Sequence, residues 1–143
     1  MRKLFAIAAV ATLLTAQPAL AEIGRIKSFV GPVSVQRGGG MIEAKSGLTL
    51  EQGDVVLTGK DGRVGIAFLD NTRMALGPNS KITLTEFSYD RTHQTGTFLT
   101  SVNRGSLGVV SGNIAKSKRD AMRVRTPTSM LGVRGTKFVV EVK

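Results

Sequence analysis

A regular alternation of apolar residues dominates the middle of the chain. In the run 63–69, Val64, Ile66 and Phe68 occupy every second position, with Gly65 and Ala67 between them. Turn-forming Gly, Asn, Asp and Pro residues interrupt such runs every eight or nine positions, in the segments 59–62, 70–71 and 77–80. Because side chains of a β-strand alternate between its two faces, this pattern predicts a β-meander with one apolar face per strand.

The phase of the alternation also predicts the core and the turns. Val64, Ile66 and Phe68 are expected to point inward. Met74, Ile82 and Leu84 recur in phase on the next two strands and are expected beside them. The residues predicted to form structural turns are Gly53, Asp54, Gly59, Gly62, Asp70, Gly77, Pro78, Gly132 and Gly135.

Shorter apolar runs on both sides of the meander predict further strands. They are an opening pair over 26–35 around Gly31-Pro32, strands 97–102 and 106–110 split at 103–105, and closing strands 122–125 and 137–142. Segment 38–40 is predicted as a mobile loop, and 114–122 as at most one helical turn. The predicted fold class is all-β: a compact β-roll or sandwich, or a short solenoid-like stack of antiparallel strands.

The first 21 residues have the three-part pattern of a cleavable secretory signal. Arg2 and Lys3 precede an apolar run over 4–14, and small residues at Ala19 and Ala21 flank Leu20. The run is about half of the ~20 residues that span a bilayer. We therefore predict a signal-peptide helix over 1–21, cleavage between Ala21 and Glu22, and one all-β domain over 22–143 in the periplasm or outside the cell, without a transmembrane span.

Composition narrows the chemistry of the mature chain. There is no cysteine, which excludes disulfides, thiol catalysis and thiolate metal sites. Removing the two signal cations from the 20 lysines and arginines leaves 18 against ten acids, a net charge of +8. Such a charge favours acidic partners or anionic surfaces. Six Phe, one Tyr and no Trp in an exported protein speak against nucleic acid.

No constellation of catalytic residues stands out. His93 is the single histidine, and it follows Asp90 in a polar turn, which is neither a triad nor a metal site. The Gly-rich segments 77–80 and 132–136 lack the helix and the Lys-Ser/Thr ending of a phosphate loop. We expect no enzyme activity, no metal and no cofactor; a carboxylate pair for hydrolysis stays the weaker alternative.

The densest charge lies near the end of the chain and is here called the basic strip. It comprises Lys116, Lys118, Arg119, Arg123, Arg125, Arg134 and Lys137, with Asp120 the only acid among them. In the predicted strand, Arg123 and Arg125 share one face and Val124 takes the other. The strip is either a solvated outer face or a site for anions or a partner. If the strip binds a polyanion, reversing Arg123 and Arg125 should weaken binding more than reversing the distant Arg25 and Lys27.

With the turns placed, the chain resembles the FecR-like domain family. The resemblance rests on Gly31-Pro32-Val33, Leu50-x-x-Gly53-Asp54 with Thr58-Gly59, Gly62-Arg63-Val64, Phe68-x-Asp70-x-Thr72, Leu76-Gly77-Pro78-Asn79-Ser80, Thr126-Pro127 and Gly132-Val133-Arg134-Gly135-Thr136-x-Phe138. It spans most of the mature chain in order. It implies an all-β extracytoplasmic, non-enzymatic module. In namesake members that module relays a signal from an outer-membrane transporter to a cytoplasmic sigma factor.

Two function hypotheses follow. The first is a binding or scaffold module that docks a cell-envelope protein through a β-edge or loop surface, in envelope signalling. The second is a basic module that binds anionic envelope polymers or lipids through the basic strip. The chain departs from the namesake arrangement because no transmembrane helix is expected after cleavage, so we do not expect it to carry a signal inward by itself.

Overall fold

The computed structural model describes residues 21–135 and 137–143. Within them the chain forms twelve strands and one short helix: β1 (Glu22–Val30), β2 (Val33–Arg37), β3 (Gly40–Glu43), β4 (Thr49–Glu51), β5 (Val55–Thr58), β6 (Arg63–Phe68), β7 (Arg73–Leu76), β8 (Lys81–Asp90), β9 (Thr95–Val110), α1 (Asn113–Ser117), β10 (Met122–Arg125), β11 (Met130–Val133) and β12 (Lys137–Val142). The predicted signal residues 1–20 lie outside the described residues. The predicted cleavage bond, between Ala21 and Glu22, falls just before β1.

The strands form two sheets that are continuous through β9. Sheet A has the order β4-β1-β6-β7-β9-β12 and uses residues 105–110 of β9. Sheet B has the order β3-β2-β5-β8-β9-β10-β11 and uses residues 95–104 of β9. Together they make a curled half-barrel, so the all-β prediction is confirmed. No helix within the described residues is long and apolar enough to span a membrane.

The core lies between the inner faces of the two sheets. The predicted inward residues Val64, Ile66 and Phe68 are all buried, which confirms the phase of β6. Met74, Ile82 and Leu84 are buried in the same core. Phe98 meets Phe68 and Phe87 at ring-centroid distances of 4.7 and 4.8 Å in edge-to-face geometry. Such aromatic pairs add ~0.5–1.5 kcal/mol each beyond their buried area.

Strand β9 corrects the predicted break at 103–105. It runs unbroken for 16 residues, and Gly105 bends it where it passes from sheet B to sheet A. Gly105 has φ 89°, and a Cβ there would lie 2.5 Å from the Cα of Ser80. The glycine therefore marks a close backbone approach and a left-handed residue inside a strand, and not a turn between two strands.

One strand pair corrects the expectation of antiparallel strands throughout. β10 pairs with β9 in parallel, which requires a crossover between them. That crossover contains α1, which begins one residue before the segment 114–122 predicted to hold one helical turn and overlaps it through Ser117. Asp70 anchors α1, because its buried carboxylate accepts hydrogen bonds from the Ile114 amide at 3.2 Å and from the Thr72 hydroxyl at 2.8 Å.

The predicted turn residues fall mostly between strands, with one exception. Gly53, Asp54, Gly59, Gly62, Asp70, Gly77, Pro78 and Gly135 lie in connections. Gly132 lies inside β11, paired with Arg123, so its prediction as a turn was wrong. Gly135, with φ 46°, follows β11, and Thr136 lies outside the described residues. The predicted loop at 38–40 is a tight hairpin in which Arg37 pairs with Gly40.

Candidate functional site

The outer face of sheet A presents a row of small side chains in register across five strands. Ser28 pairs with Gly65, Gly65 with Ala75, Ala75 with Gly108, and Gly108 with Val139. Directly paired residues in antiparallel strands share one face of the sheet, so the five form one line, here called the small-residue row. Val139 is 73% exposed and ends the row at the edge strand β12.

A shallow groove follows the small-residue row. It consists of two depressions of about 530 and 410 Å³ that share Ala75 and Gly108 in their walls. The first reaches Phe29 and Val30 on β1, and the second reaches Val139 on β12. The groove thus crosses the sheet over an apolar floor. An exposed apolar surface of this kind is typical of an interaction site.

The glycine at the centre of the groove is not required by the backbone. At Gly108 an added Cβ would meet only the carbonyl oxygen of Ala75, at an ordinary contact distance of 3.8 Å. Glycine inside a strand weakens the strand, because it loses more chain entropy and packs no side chain. Its effect here is to keep the groove open, and this allows another backbone to approach the sheet closely.

A row of cations borders the groove on one side. Arg25, Arg73 and Lys137 alternate with Ala67 and Val110 in a second line of directly paired residues, here called the basic row. Cations two strands apart are about 10 Å apart, close to the screening length at physiological salt. Arg25 also forms an exposed ion pair with Glu22 at 2.6 Å. The groove therefore favours occupants with carboxylates beside their apolar contacts.

The structure divides the basic strip between different parts of the fold. Arg123 and Arg125 lie on the outer face of sheet B, opposite the buried Val124, as the alternation predicts. Lys137 belongs to sheet A and to the basic row. The other four cations lie on α1 or in connections: Lys116, Lys118, Arg119 and Arg134. The seven cations of the basic strip are therefore distributed over sheet A, sheet B, α1 and the connections, and their role as a common anion site stays a prediction.

Part of the strip is also balanced by acids. A terminal nitrogen of Arg123 lies 4.0 Å from a carboxylate oxygen of Glu86. The Asp120 carboxylate occupies the space where Gly132, the partner of Arg123 on β11, would carry a Cβ. Lys116 lies against the last turn, with its Cγ 3.5 Å from the position that a Cβ on Gly135 would take.

The carboxylates predicted in turns have structural partners. Asp54 is buried and accepts two hydrogen bonds from the Arg37 guanidinium, at 2.9 and 2.8 Å, and one from the Glu51 amide. The hydrogen bonds to Asp54 raise the pKa of Arg37. In the exposed hairpin between β8 and β9, the His93 ring lies 2.7 Å from Asp90 and lowers the pKa of that carboxyl group.

Asp54 and Asp90 thus each have a partner that holds the side chain in the fold. Within the ranges 21–135 and 137–143, no group of three or more His, Asp or Glu side chains could hold a metal ion. His93 sits in an exposed turn, and its side chain is 74% exposed. The groove on sheet A consequently remains the strongest candidate site.

Sequence reasoning missed the groove and two members of its basic row. The alternation predicts that Arg73 and Ala75 lie on the strand face opposite Met74 and Leu76. A sequence pattern does not distinguish a groove on that face from ordinary solvent-exposed surface. Placing Arg25 in the same row as Arg73 requires the register between β1, β6 and β7, which no local pattern contains. The same nonlocal pairing creates the small-residue row.

Comparison with known proteins gives one match. Residues 54–143 match the family model described as FecR protein, so the match runs from Asp54 through β12. No curated protein and no solved structure matches the chain. The matched residues contain the central part of the groove and the whole basic strip, whereas β1 and its Arg25 precede them.

Proposed function

The chain belongs to the FecR family, and we propose that it is a non-enzymatic extracytoplasmic module that docks a protein partner in the cell envelope. Membership of the family supports a role in envelope signalling or regulation. The family's association with the envelope and the signal pattern over 1–21 support a location in the periplasm or outside the cell. The observation that carries the docking proposal is the open groove on the outer face of sheet A.

The groove suits a protein segment for two physical reasons. Its floor of Gly65, Ala75 and Gly108 is shallow and lacks large side chains, so an extended or helical segment can lie close to the strands. Its border of Arg73 and Lys137 attracts acidic side chains and orients the segment. The proposed partner segment therefore has apolar residues facing the sheet and Asp or Glu residues facing the basic row.

Blocking the groove tests the proposal without disturbing the core. The Gly108→Val side chain would project into the groove, where a Cβ meets no backbone atom closer than 3.8 Å. The matched control is Gly40→Val in edge strand β3, where a Cβ would lie 3.7 Å from the Arg37 carbonyl oxygen. We expect crosslinking pull-downs from envelope extract to lose the partner with Gly108→Val and to keep it with Gly40→Val.

Equal capture by both variants would overturn this placement of the site. Thermal denaturation of each variant checks that any loss of capture does not come from unfolding.

A second candidate function is binding of anionic envelope polymers or lipids. It is supported by the net charge of +8 that 18 cations and ten acids leave on the mature chain. Screened contacts between exposed charges fall off steeply with salt, whereas apolar contacts do not. Capture that persists at high salt and depends on Gly108 favours the protein partner. Retention on a phosphorylated polymer that is lost when the salt concentration is raised favours binding of an anionic polymer.

A further inference from the structure

Strand β12 is an edge strand with a self-complementary sequence. It pairs with β9 along its whole length from Lys137 to Val142, and within the described residues no strand pairs with its other side. Such edges present unpaired backbone groups to any strand that fits them. Val139 at its centre is 73% exposed, so an apolar side chain stands in solvent at this edge.

The charges of β12 lie symmetrically about Val139. Lys137 precedes Val139 by two positions and Glu141 follows it by two, and all three are exposed on the outer face of sheet A. Phe138 and Val140 alternate with them and face the core side. We propose that two copies of this chain pair through β12, antiparallel and centred on Val139.

In this register, the side chains that meet are complementary on both faces of the joined sheet. Lys137 of each copy lies opposite Glu141 of the other, which gives two opposite-charge pairs. The two Val139 side chains meet on the outer face, and Phe138 lies opposite Val140 of the second copy on the inner face. Exposed apolar area at Val139 is thereby removed from water in both copies.

Two neighbouring registers also place outer-face residues opposite outer-face residues, but they bring together less favourable pairs of side chains. Centring on Val140 places Lys137 opposite Lys143, a pair of like charges, and Glu141 opposite Val139. Centring on Phe138 places Lys137 opposite Val139 and leaves Glu141 beyond the strand, opposite Gly135. Because like charges directly opposite destabilise a strand pair, the charges select the register centred on Val139.

The resulting contact is isologous, the same surface on both copies related by a two-fold axis. It joins the two A sheets into one, and the small-residue row continues through Val139 into the second copy. The inference stands on β12 alone and does not require the docking proposal. If both hold, the dimer presents one groove of double length.

Charge reversal at the paired positions provides the test. Analytical ultracentrifugation of the exported protein over a range of concentrations should show a monomer–dimer equilibrium. Lys137→Glu replaces two attractive pairs by two repulsive ones, and so does Glu141→Lys, so each should weaken dimerisation about tenfold or more. Lys143→Glu reverses a cation just beyond β12 that has no charged partner in this register, and should leave dimerisation within about twofold.

Mixing and combining the variants makes the test specific. An equimolar mixture of Lys137→Glu and Glu141→Lys proteins should form heterodimers, because each strand then faces the opposite charge. The double variant Lys137→Glu/Glu141→Lys should dimerise like the parent. Circular dichroism with thermal denaturation shows whether each variant is folded. A parent that stays monomeric at every concentration, a dimer insensitive to both single reversals, or the absence of heterodimers in the mixture would each overturn the proposal.

Discussion

Asp54 and Asp70 illustrate how buried carboxylates obtain partners that lie far along the chain. Asp54 binds Arg37, 17 residues away, and Asp70 binds the amide of Ile114, 44 residues away. Both residues sit where Asp is common for local reasons, because its side chain bonds nearby amides in turns. The turn positions could be predicted from the sequence, whereas these partners depend on which strands meet in space.

The Arg37–Asp54 pair should contribute strongly to stability. Arg37→Ala would leave a carboxylate that is 2% exposed without its cation, and because the Arg37 side chain itself is 29% exposed, the loss should be about 1–3 kcal/mol. Urea denaturation should show the loss as a lower midpoint. The matched control, Arg25→Ala, breaks an exposed pair and should cost at most about 1 kcal/mol. Equal midpoints for the two variants would contradict the role assigned to Asp54.

Phe68 tests the packing between the sheets. It is 5% exposed and contacts the rings of Phe87 and Phe98, so Phe68→Ala should lower the free energy of unfolding by about 3–5 kcal/mol. Phe29→Ala, at a position that is 37% exposed, should cost less than half of that. The same urea titrations measure both. A Phe68→Ala midpoint equal to that of Phe29→Ala would show that Phe68 does not hold the core together.

At the scale of the elements, β9 organises the fold because it belongs to both sheets. Its two halves meet at Gly105, where the chain bends and the pairing partners change from β8 and β10 to β7 and β12. The bend places Gly105 against Ser80, in the connection between β7 and β8. Gly105 therefore stands where β9 passes from one sheet to the other, at a position too close to Ser80 to hold a side chain.

Two alanine substitutions in β9 separate this role from ordinary glycine flexibility. Gly105→Ala puts a Cβ at φ 89° and 2.5 Å from the Cα of Ser80, and should destabilise by more than about 2 kcal/mol. Gly108→Ala meets only a contact of 3.8 Å and should be neutral or slightly stabilising, because alanine loses less chain entropy on folding. Differential scanning calorimetry compares the two. A Gly105→Ala melting temperature at or above that of Gly108→Ala would contradict this account of the bend.

The elements that could be predicted from the sequence are those with strong local alternation. Apolar residues recur at every second position in β6, in β7 and in β8 as far as Leu84, so the phase of these segments was recognisable, whereas the register shift after Leu84 that buries Phe87 was not. The continuity of β9 was not, because Asn103, Arg104 and Gly105 are also the residues of a turn. β11 was missed for the same reason, since Gly132 and Gly135 suggested a loop where only Gly135 has a positive φ.

In the molecule as a whole, the cations are distributed over several surfaces, whereas the apolar groove lies on one face of sheet A. The cations of the basic strip divide between sheet A, sheet B, α1 and the connections, and Arg123 has Glu86 nearby. The basic row on sheet A contains Arg25, which the sequence places far from the strip. An anionic surface should therefore interact with the net charge of the protein more than with one patch.

This view changes the expected outcome of the charge reversals. Arg123→Glu/Arg125→Glu and Arg25→Glu/Arg73→Glu each lower the net charge by four units, on different sheets. Both double variants should elute from a phosphorylated polymer at similarly reduced salt concentrations, because retention follows net charge. Salt-gradient chromatography measures the difference. A much larger effect of the Arg123/Arg125 pair would establish the basic strip as a discrete anion site.

The central claim is that the outer face of sheet A docks a protein. A photo-crosslinking amino acid at Ala75, in the floor of the groove, reports contacts there in intact cells. The same amino acid at Ser88, an exposed position on β8 in sheet B, serves as the control. The account predicts a discrete crosslinked protein from position 75 that is absent from position 88 and disappears when Gly108→Val is added. No crosslinked product from position 75, or the same product from both positions, would contradict it.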